Sequence, residues 1–513
     1  VRSLVKSSVI VVIGTVLCKI LGLVRELYVA STFGSSNLAD VVNVVLRLPN
    51  FFRRIFSEGA LSSVFIPVFN AKSRENKKDA LIFANQIFFY LLIFSGVFVI
   101  LVEIFMPVIA SLLAPGFIAN SDQLCTTVRL CRVSIPYLFF VTLVGFLSSV
   151  LNSYGYFFAA SINPSLMSIG VIAAMSFTDN VSVKAKFVPF GLVIAGILQL
   201  SFVMYNVRCV NIGVPKRVSL TENSDSTKKF LCKLLPAGMA SGATQIQIII
   251  SQSIASFFPG AISILGYAER IYQFPLSLLG VICSSVLLPA MSKINVKYDS
   301  SKISHMQMRS IKLVSLISFP CAIGMAAISI PIVQCIYQHG NFSFESTKSV
   351  AITFSLFALG LPAFVLIKLF NNLFYVYQDT KTLFRVTCVS IVINTLANII
   401  LIQYMGYFGI SLGSSLISWV QLIWLVHLSV KKKYLSIKRY IIIWCLEVFF
   451  ISSVMGGMLH VSYLILTPYF NSASFFVRLI LTFGLLFLGI ITYLCGVLLF
   501  GKISIGKRSI VLL

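Results

Sequence analysis

Ten cationic side chains stand inside stretches otherwise too apolar to suit them: Lys19, Arg25, Arg47, Arg53, Arg54, Arg129, Arg132, Arg270, Lys368 and Arg478. A charge at the centre of a bilayer costs roughly 2.5–3.5 kcal/mol even on the mildest scale, so several together call for a water-filled cavity or anionic partners. The densest group lies in the first 60 residues, where Lys19, Arg25, Arg47, Arg53 and Arg54 share the chain with Glu26, Asp40 and Glu58. At about 100° per residue, Lys19 and Glu26 fall within about 20° of each other, and Asp40, Arg47, Arg54 and Glu58 within about 40°. Pairing of Arg54 with Glu58, Lys19 with Glu26 and Arg47 with Asp40 would neutralise much of this cluster. That leaves Arg25 and Arg53 without a local acid, and Arg270, beside Glu269, is a third surplus cation. Guanidinium forks match phosphate oxygens two at a time, so the chemistry this surplus suits is recognition of an anion such as pyrophosphate.

Other buried ions are weaker signals. Lys368 and Asp379, 11 residues apart, would share a face of one helix and could pair elsewhere or hold a coupling cation, sodium or proton. Glu103 and Glu447 could carry protons or pair structurally. Arg129, Arg132 and Arg478 are placed near helix ends, where they can snorkel to headgroups.

The elements that must position these groups follow from composition. The chain has 513 residues, 58% hydrophobic and 11% charged, with mean hydropathy +0.96. Soluble domains carry roughly 25% charged residues, so a soluble enzyme is excluded. Apolar runs fall near 7–33, 40–70, 80–112, 126–154, 159–178, 187–208, 229–257, 261–291, 309–337, 346–377, 383–404, 408–430, 439–463 and 474–500. About 20 apolar residues cross a bilayer, so the predicted fold is all-α and polytopic, with fourteen transmembrane helices. The first run, Val5 to Phe33, is long enough to span and lacks a clean cleavage site, so it is kept as the first helix.

The net charge of +25 is concentrated in alternate loops, including Lys72–Lys78, Lys216–Lys233, Lys293–Lys312, Lys431–Arg439 and Lys502–Arg508. That asymmetry puts both termini in the cytoplasm and explains the basic balance without nucleic acid. The 11 cysteines and 4 histidines show no metal-ligand spacing, and no phosphate-binding glycine loop is evident, so no metal, cofactor or enzymatic activity is expected.

Two stretches look alike: Arg54-Ile55-Phe56 with Ser62-Ser63-Val64-Phe65-Ile66-Pro67, and Arg270-Ile271-Tyr272 with Ser284-Ser285-Val286-Leu287-Leu288-Pro289. Six helices would separate them, which makes parallel repeats about an axis normal to the membrane. The expected organisation is an N-lobe over 1–215, a C-lobe over 216–432, and a C-terminal helix pair over 433–513.

Several motifs carry a resemblance: Lys19-Ile20-Leu21-Gly22-Leu23-Val24-Arg25-Glu26, Leu48-Pro49-Asn50-Phe51-Phe52-Arg53-Arg54-Ile55-Phe56-Ser57-Glu58-Gly59-Ala60, Ala114-Pro115-Gly116-Phe117, Tyr267-Ala268-Glu269-Arg270 and Asp379-Thr380-Lys381-Thr382. Nearly end to end, the chain resembles the MurJ (MviN) family of bacterial lipid II flippases, within the multidrug/oligosaccharidyl-lipid/polysaccharide exporter superfamily. The resemblance implies two six-helix lobes plus an extra pair, and movement of undecaprenyl-pyrophosphate-linked disaccharide-pentapeptide from the cytoplasmic to the periplasmic leaflet of the inner membrane by alternating access. It implies Lys19, Arg25, Arg53 and Arg270 as substrate-binding residues and Glu26, Asp40 and Glu58 as functional acids or gate residues, with Asp379 a candidate coupling-ion site. Lys19 stands where the family favours arginine, keeping the charge and losing the bidentate fork. Lipid II, membrane lipids and the peptidoglycan synthesis machinery are the implied partners, with helices 13 and 14 a groove for the lipid tail. The alternative is a drug or cation antiporter of the same superfamily, for which unpaired acids and aromatics would be expected in the cavity.

Overall fold

The computed structural model describes residues 2–53, 61–210, 230, 232, 245–281, 300–435, 439–472, 474–501, 503–506 and 509–512. It is built from helices, apart from a short antiparallel hairpin, Ile503–Gly506 with Ser509–Leu512, which the sequence reading does not anticipate. Contacts group the chain into two compact units, Val1–Ser263 and Ile264–Leu513.

The first unit holds α1 (Arg2–Phe33), α2 (Asn37–Arg53), α3 (Ser62–Glu75), α4 (Lys77–Ile104), α5 (Met106–Leu113), α6 (Ser121–Ser134), α7 (Pro136–Ser153), α8 (Phe158–Met175), α9 (Val181–Cys209) and a helical stretch α10 over 245–255. Local chemistry sets these boundaries. α1 stops where Gly34 takes φ 59°, a left-handed closure that glycine reaches without strain. Ser36 then accepts a hydrogen bond from the Ala39 amide at 3.2 Å and opens α2. Asn76, Asn120 and Asn180 cap α4, α6 and α9 in the same way.

Packing in this unit uses small residues and rings. A Cβ on Gly170 of α8 would meet the Gly191 carbonyl of α9 at 2.8 Å, and one on Gly191 would meet the Gly170 carbonyl at 2.7 Å. Paired glycines thus let two membrane helices touch backbone to backbone, where lipid offers no hydrophobic drive to bring them together. Phe65, Phe69, Phe83 and Phe146 form a buried ring cluster that joins α3, α4 and α7.

The helix α11 (Ala261–Val281) begins in the first unit and runs into the second, which continues with α12 (Ser300–Ala327), α13 (Ser329–Tyr337), α14 (Phe344–Ala358), α15 (Leu361–Val376), α16 (Thr380–Met405), α17 (Phe408–Lys431), α18 (Arg439–Ser472) and α19 (Phe475–Leu499). α14 and α15 are bent by 40° around Leu359 and Gly360, just before Pro362. The carbonyls freed at the bend find donors from α17: Ser415 Oγ to Leu356 O at 2.6 Å and Trp419 Nε1 to Leu359 O at 3.0 Å. In hydrocarbon an unmet carbonyl costs several kcal/mol, so these two side chains make the break tolerable.

Among the described residues nine helices are long and apolar enough to cross a membrane, or ten if the bent pair is one span. The fourteen expected from the sequence are not all delineated. The run at 40–70 divides into α2 and α3, with 54–60 outside the described residues, and much of 229–257 and 282–291 also lies outside. So do the Lys216–Lys229 connection and the second repeat's Ser284–Pro289.

Glycine contacts give a paired prediction. A Cβ on Gly116 would collide with the Ser256 carbonyl, whereas one on Gly22 meets nothing within 4 Å. Gly116→Ala is expected to lower the unfolding temperature by the equivalent of roughly 1–3 kcal/mol, and Gly22→Ala to leave it unchanged or raised. Thermal unfolding of the two variants in one detergent reads both, and equal behaviour would contradict the packing described.

Candidate functional site

The first unit carries several of the candidate site residues on α1 and α2. Arg25 and Glu26 are 7% and 8% exposed, and the Arg25 Nη2 to Glu26 Oε1 distance is 3.6 Å. Arg25 therefore does not lack a local acid, as the sequence reading expects; adjacent residues at the end of a turn aim their long side chains at each other. Lys19, six residues earlier, is exposed. Arg53, half-buried at the end of α2, donates from Nε to Asn50 Oδ1 at 3.2 Å, and Asn50 is itself fixed by donating to Leu46 O at 2.8 Å. The Arg53 charge reaches Cys18 of α1, whose thiol donates to Ser161 O of α8 at 3.1 Å. α1 and α2 thus bear the cations Lys19, Arg25, Arg47 and Arg53 and the acids Glu26 and Asp40 over these stretches. Arg54 and Glu58 lie outside the described residues.

Asp40 is fully buried, and beside the charge of Arg47 it meets donors that the sequence reading does not name. Its Oδ2 accepts from the Gly260 amide at 2.7 Å, and its Oδ1 from the Ser263 amide at 2.8 Å and hydroxyl at 2.6 Å. These amides belong to the opening turn of the helix that begins at Ala261, where unpaired N–H groups and the helix dipole favour a carboxylate. Asn43, one turn along α2, donates to the Ser263 hydroxyl at 3.2 Å. Gly260 has φ 76°, and a Cβ there would collide with the Ser35 carbonyl. Asp40 is a cap supplied from a distant helix. Sequence reasoning missed Asn43, Gly260 and Ser263, because a partner 220 residues away leaves no local spacing to find.

In the second unit Arg270 sits half-buried on α11. Its neighbour Glu269 accepts a hydrogen bond from Gln273 Nε2 at 2.7 Å. Tyr272 is packed between Phe357 and Phe364, with ring centroids 5.7 and 5.8 Å away.

Asp379 departs from expectation. α15 ends at Val376, Gln378 takes φ 57°, and Asp379 caps α16, with its Oδ1 accepting from the Thr382 amide at 3.3 Å. Lys368 and Asp379 therefore do not share a face of one helix. Lys432 forms an ion pair with Asp379 and donates to Thr382 Oγ1 at 2.6 Å, while Tyr434 donates to Asp379 Oδ2 at 3.3 Å and stacks on Tyr377 at 4.0 Å. Asp379 thus joins two loop ends through Lys432, Thr382 and Tyr434.

Burial disfavours the charged form of Asp379, but hydrogen bonds from Lys432 and Thr382 and the lysine charge outweigh it and hold the carboxyl below its usual value. A carboxyl depressed in the fold stabilises it at pH above the unfolded value, near 3.9, and loses that contribution as pH falls through the folded value. Asp379→Asn is expected to flatten the acid limb of the unfolding temperature below about pH 4, with less than about 1 kcal/mol at stake at pH 7 because the pair is partly exposed. Unfolding temperatures from pH 7 to 3 for both proteins check this, and superimposable acid limbs would refute it.

Three further ions have structural partners. Arg132 and Glu103 lie 3.6 Å apart at an exposed position, and Arg478 donates from Nε to Phe470 O at 3.1 Å. Among the described residues no group of histidine, cysteine and acidic side chains could hold a metal ion.

The chain matches the family described as "Lipid II flippase MurJ" over residues 29–482. It is 40% identical over 454 residues to a "Probable lipid II flippase MurJ" of Rickettsia prowazekii, covering 88% of this chain and 89% of that one. A protein of the same description from Rhizobium tropici is 34% identical over 424 residues, covering 82% and 79%. Among solved structures, one described as "Lipid II flippase MurJ, inward closed conformation" superposes with TM-score 0.79 at 23% identity, over 96% of this chain and 98% of that one. An inward-facing multidrug resistance MATE family transporter of the MOP superfamily gives 0.63 at 15% identity, over 81% and 96%.

Proposed function

The chain belongs to the lipid II flippase MurJ family, and from that premise we infer that it is a multi-pass transporter, not an enzyme, moving undecaprenyl-pyrophosphate-linked disaccharide-pentapeptide across the bacterial inner membrane for peptidoglycan synthesis. What supports the chemistry is the family together with the cationic side chains Lys19, Arg25 and Arg53 on α1 and α2 and Arg270 on α11. An unshielded diphosphate cannot enter hydrocarbon at any accessible cost. Guanidinium and ammonium groups replace its water, while the polyprenyl tail stays in lipid. Export of an anion is also favoured by an inside-negative potential, by roughly 2.3 kcal/mol per charge per 100 mV.

The proposal extends to roles. Lys19, Arg25, Arg53 and Arg270 bind the diphosphate. Glu26 holds Arg25 in place, and Asp40 steadies one conformation by capping the helix after Gly260. Both termini are cytoplasmic, as the basic loops require. The MATE likeness supports the fold, and at 15% identity it adds nothing for drug export. The test is leaflet accessibility of lipid II in vesicles that contain the purified chain. Exposure in the distal leaflet well above that of protein-free vesicles supports the reading, and equality between the two refutes it.

A further inference from the structure

α15 is buried on most of its surface, with Leu366, Ile367, Leu369, Phe370, Leu373 and Phe374 all enclosed. Apart from the terminal Val376, the side chains that open are Phe364, Lys368, Asn371 and Tyr375, whose spacing puts them within about 60° on one face. Phe364 and Lys368 of this stripe meet α11. The Phe364 ring meets Tyr272 at 5.8 Å, and the Lys368 ammonium lies where a Cβ on Gly280 would come within 2.7 Å of it. Glu269, Gln273 and Gly280 fall on one face of α11 within about 40°.

Faces of this unit that suit lipid look different. α19 exposes Phe476, Ile480, Phe483 and Phe487, all apolar. A stripe of lysine, amide and phenol on a span is the composition of a wetted wall, because an ammonium facing acyl chains is disfavoured by several kcal/mol.

We propose that Lys368, with Asn371 and Tyr375, forms a second anion subsite that takes a carboxylate of the substrate's peptide stem, apart from the residues that hold the diphosphate. The inference rests on the lipid II reading above and names which part of that substrate α15 reads. Arg270 and Gly280 are ten residues apart on α11, a rise of about 15 Å between backbone positions, and a ligand with a second anionic group well beyond its diphosphate can meet both. Lysine presents a point charge that suits a single carboxylate, and the neighbouring amide and hydroxyl supply hydrogen bonds to it, whereas arginine forks suit phosphate.

The test titrates the full chain in lipid nanodiscs with three ligands: lipid II, lipid II with amidated stem carboxylates, and undecaprenyl pyrophosphate. Lys368→Gln is expected to weaken lipid II roughly 10- to 100-fold, the range of a lost hydrogen bond to a charged group. It should leave undecaprenyl pyrophosphate within about twofold, and wild type and variant should bind amidated lipid II alike. Lys368→Arg should recover most of the lipid II affinity. Equal weakening of all three ligands, or no change in any, overturns the subsite. Failure of the wild-type chain to bind lipid II at all would instead overturn the flippase reading.

Discussion

Arg25→Gln is expected to unfold at a markedly lower temperature than the wild-type chain and to flip no lipid II, and adding Glu26→Gln should restore the first property without the second. The reason lies in burial. Both residues are under 10% exposed and their charges lie 3.6 Å apart. Removing one member takes a buried counter-charge from the other, which costs up to roughly 3–5 kcal/mol, whereas replacing both with neutral groups is often close to neutral. If Arg25 serves only the fold, the double variant transports normally. If it also binds diphosphate, the double variant is stable and inactive, with a fall of about 100-fold or more, as expected for a lost charge-assisted contact to phosphate. Thermal unfolding and the leaflet assay on the same preparations separate these outcomes.

Asp40→Ala should have the second largest effect. The carboxylate alone meets the amides of Gly260 and Ser263 and also receives the Ser263 hydroxyl. Without it two buried backbone donors lose their acceptor, at about 1–3 kcal/mol each. Ser263→Ala removes only the hydroxyl and keeps both amide bonds, so it should cost no more than about 1.5 kcal/mol. A transport defect deep in Asp40→Ala and shallow in Ser263→Ala is expected in the leaflet assay. Equal defects would mean that the hydroxyl, through its bond from Asn43, carries the role assigned to the cap.

Much of this was legible beforehand because the signals are local. Long apolar runs and basic loops follow from the solvent, and α4, α8, α9, α16, α17 and α19 emerge close to the stretches read from hydropathy. Glycine and asparagine mark their ends, as at Gly34, Asn76 and Asn180. Where the reading departed, the cause is geometry that spacing does not encode. Arg25 and Glu26 point about 100° apart on an ideal helical wheel, yet their flexible stems bring the charges together. Asp40 has an attractive cation at i+7, and its actual donors come from a loop and helix 220 residues on. Asp379 continues an apolar pattern on paper, but the left-handed turn at Gln378 ends α15 and hands the carboxylate to the next helix as a cap. The stripe of Phe364, Lys368, Asn371 and Tyr375 was hidden for a related reason: Lys368 stands out by its charge, but its companions do not until the rest of α15 is known to be enclosed.

In the proposed mechanism fixed positive charge on these helices carries the diphosphate across. The most direct measurement is the rate at which lipid II appears in the distal leaflet of vesicles containing the Lys19→Gln, Arg53→Gln, Arg270→Gln triple variant, which leaves the Arg25–Glu26 pair intact. A folded variant whose rate falls to that of protein-free vesicles is the predicted result. A folded variant that flips lipid II at the wild-type rate would contradict the claim.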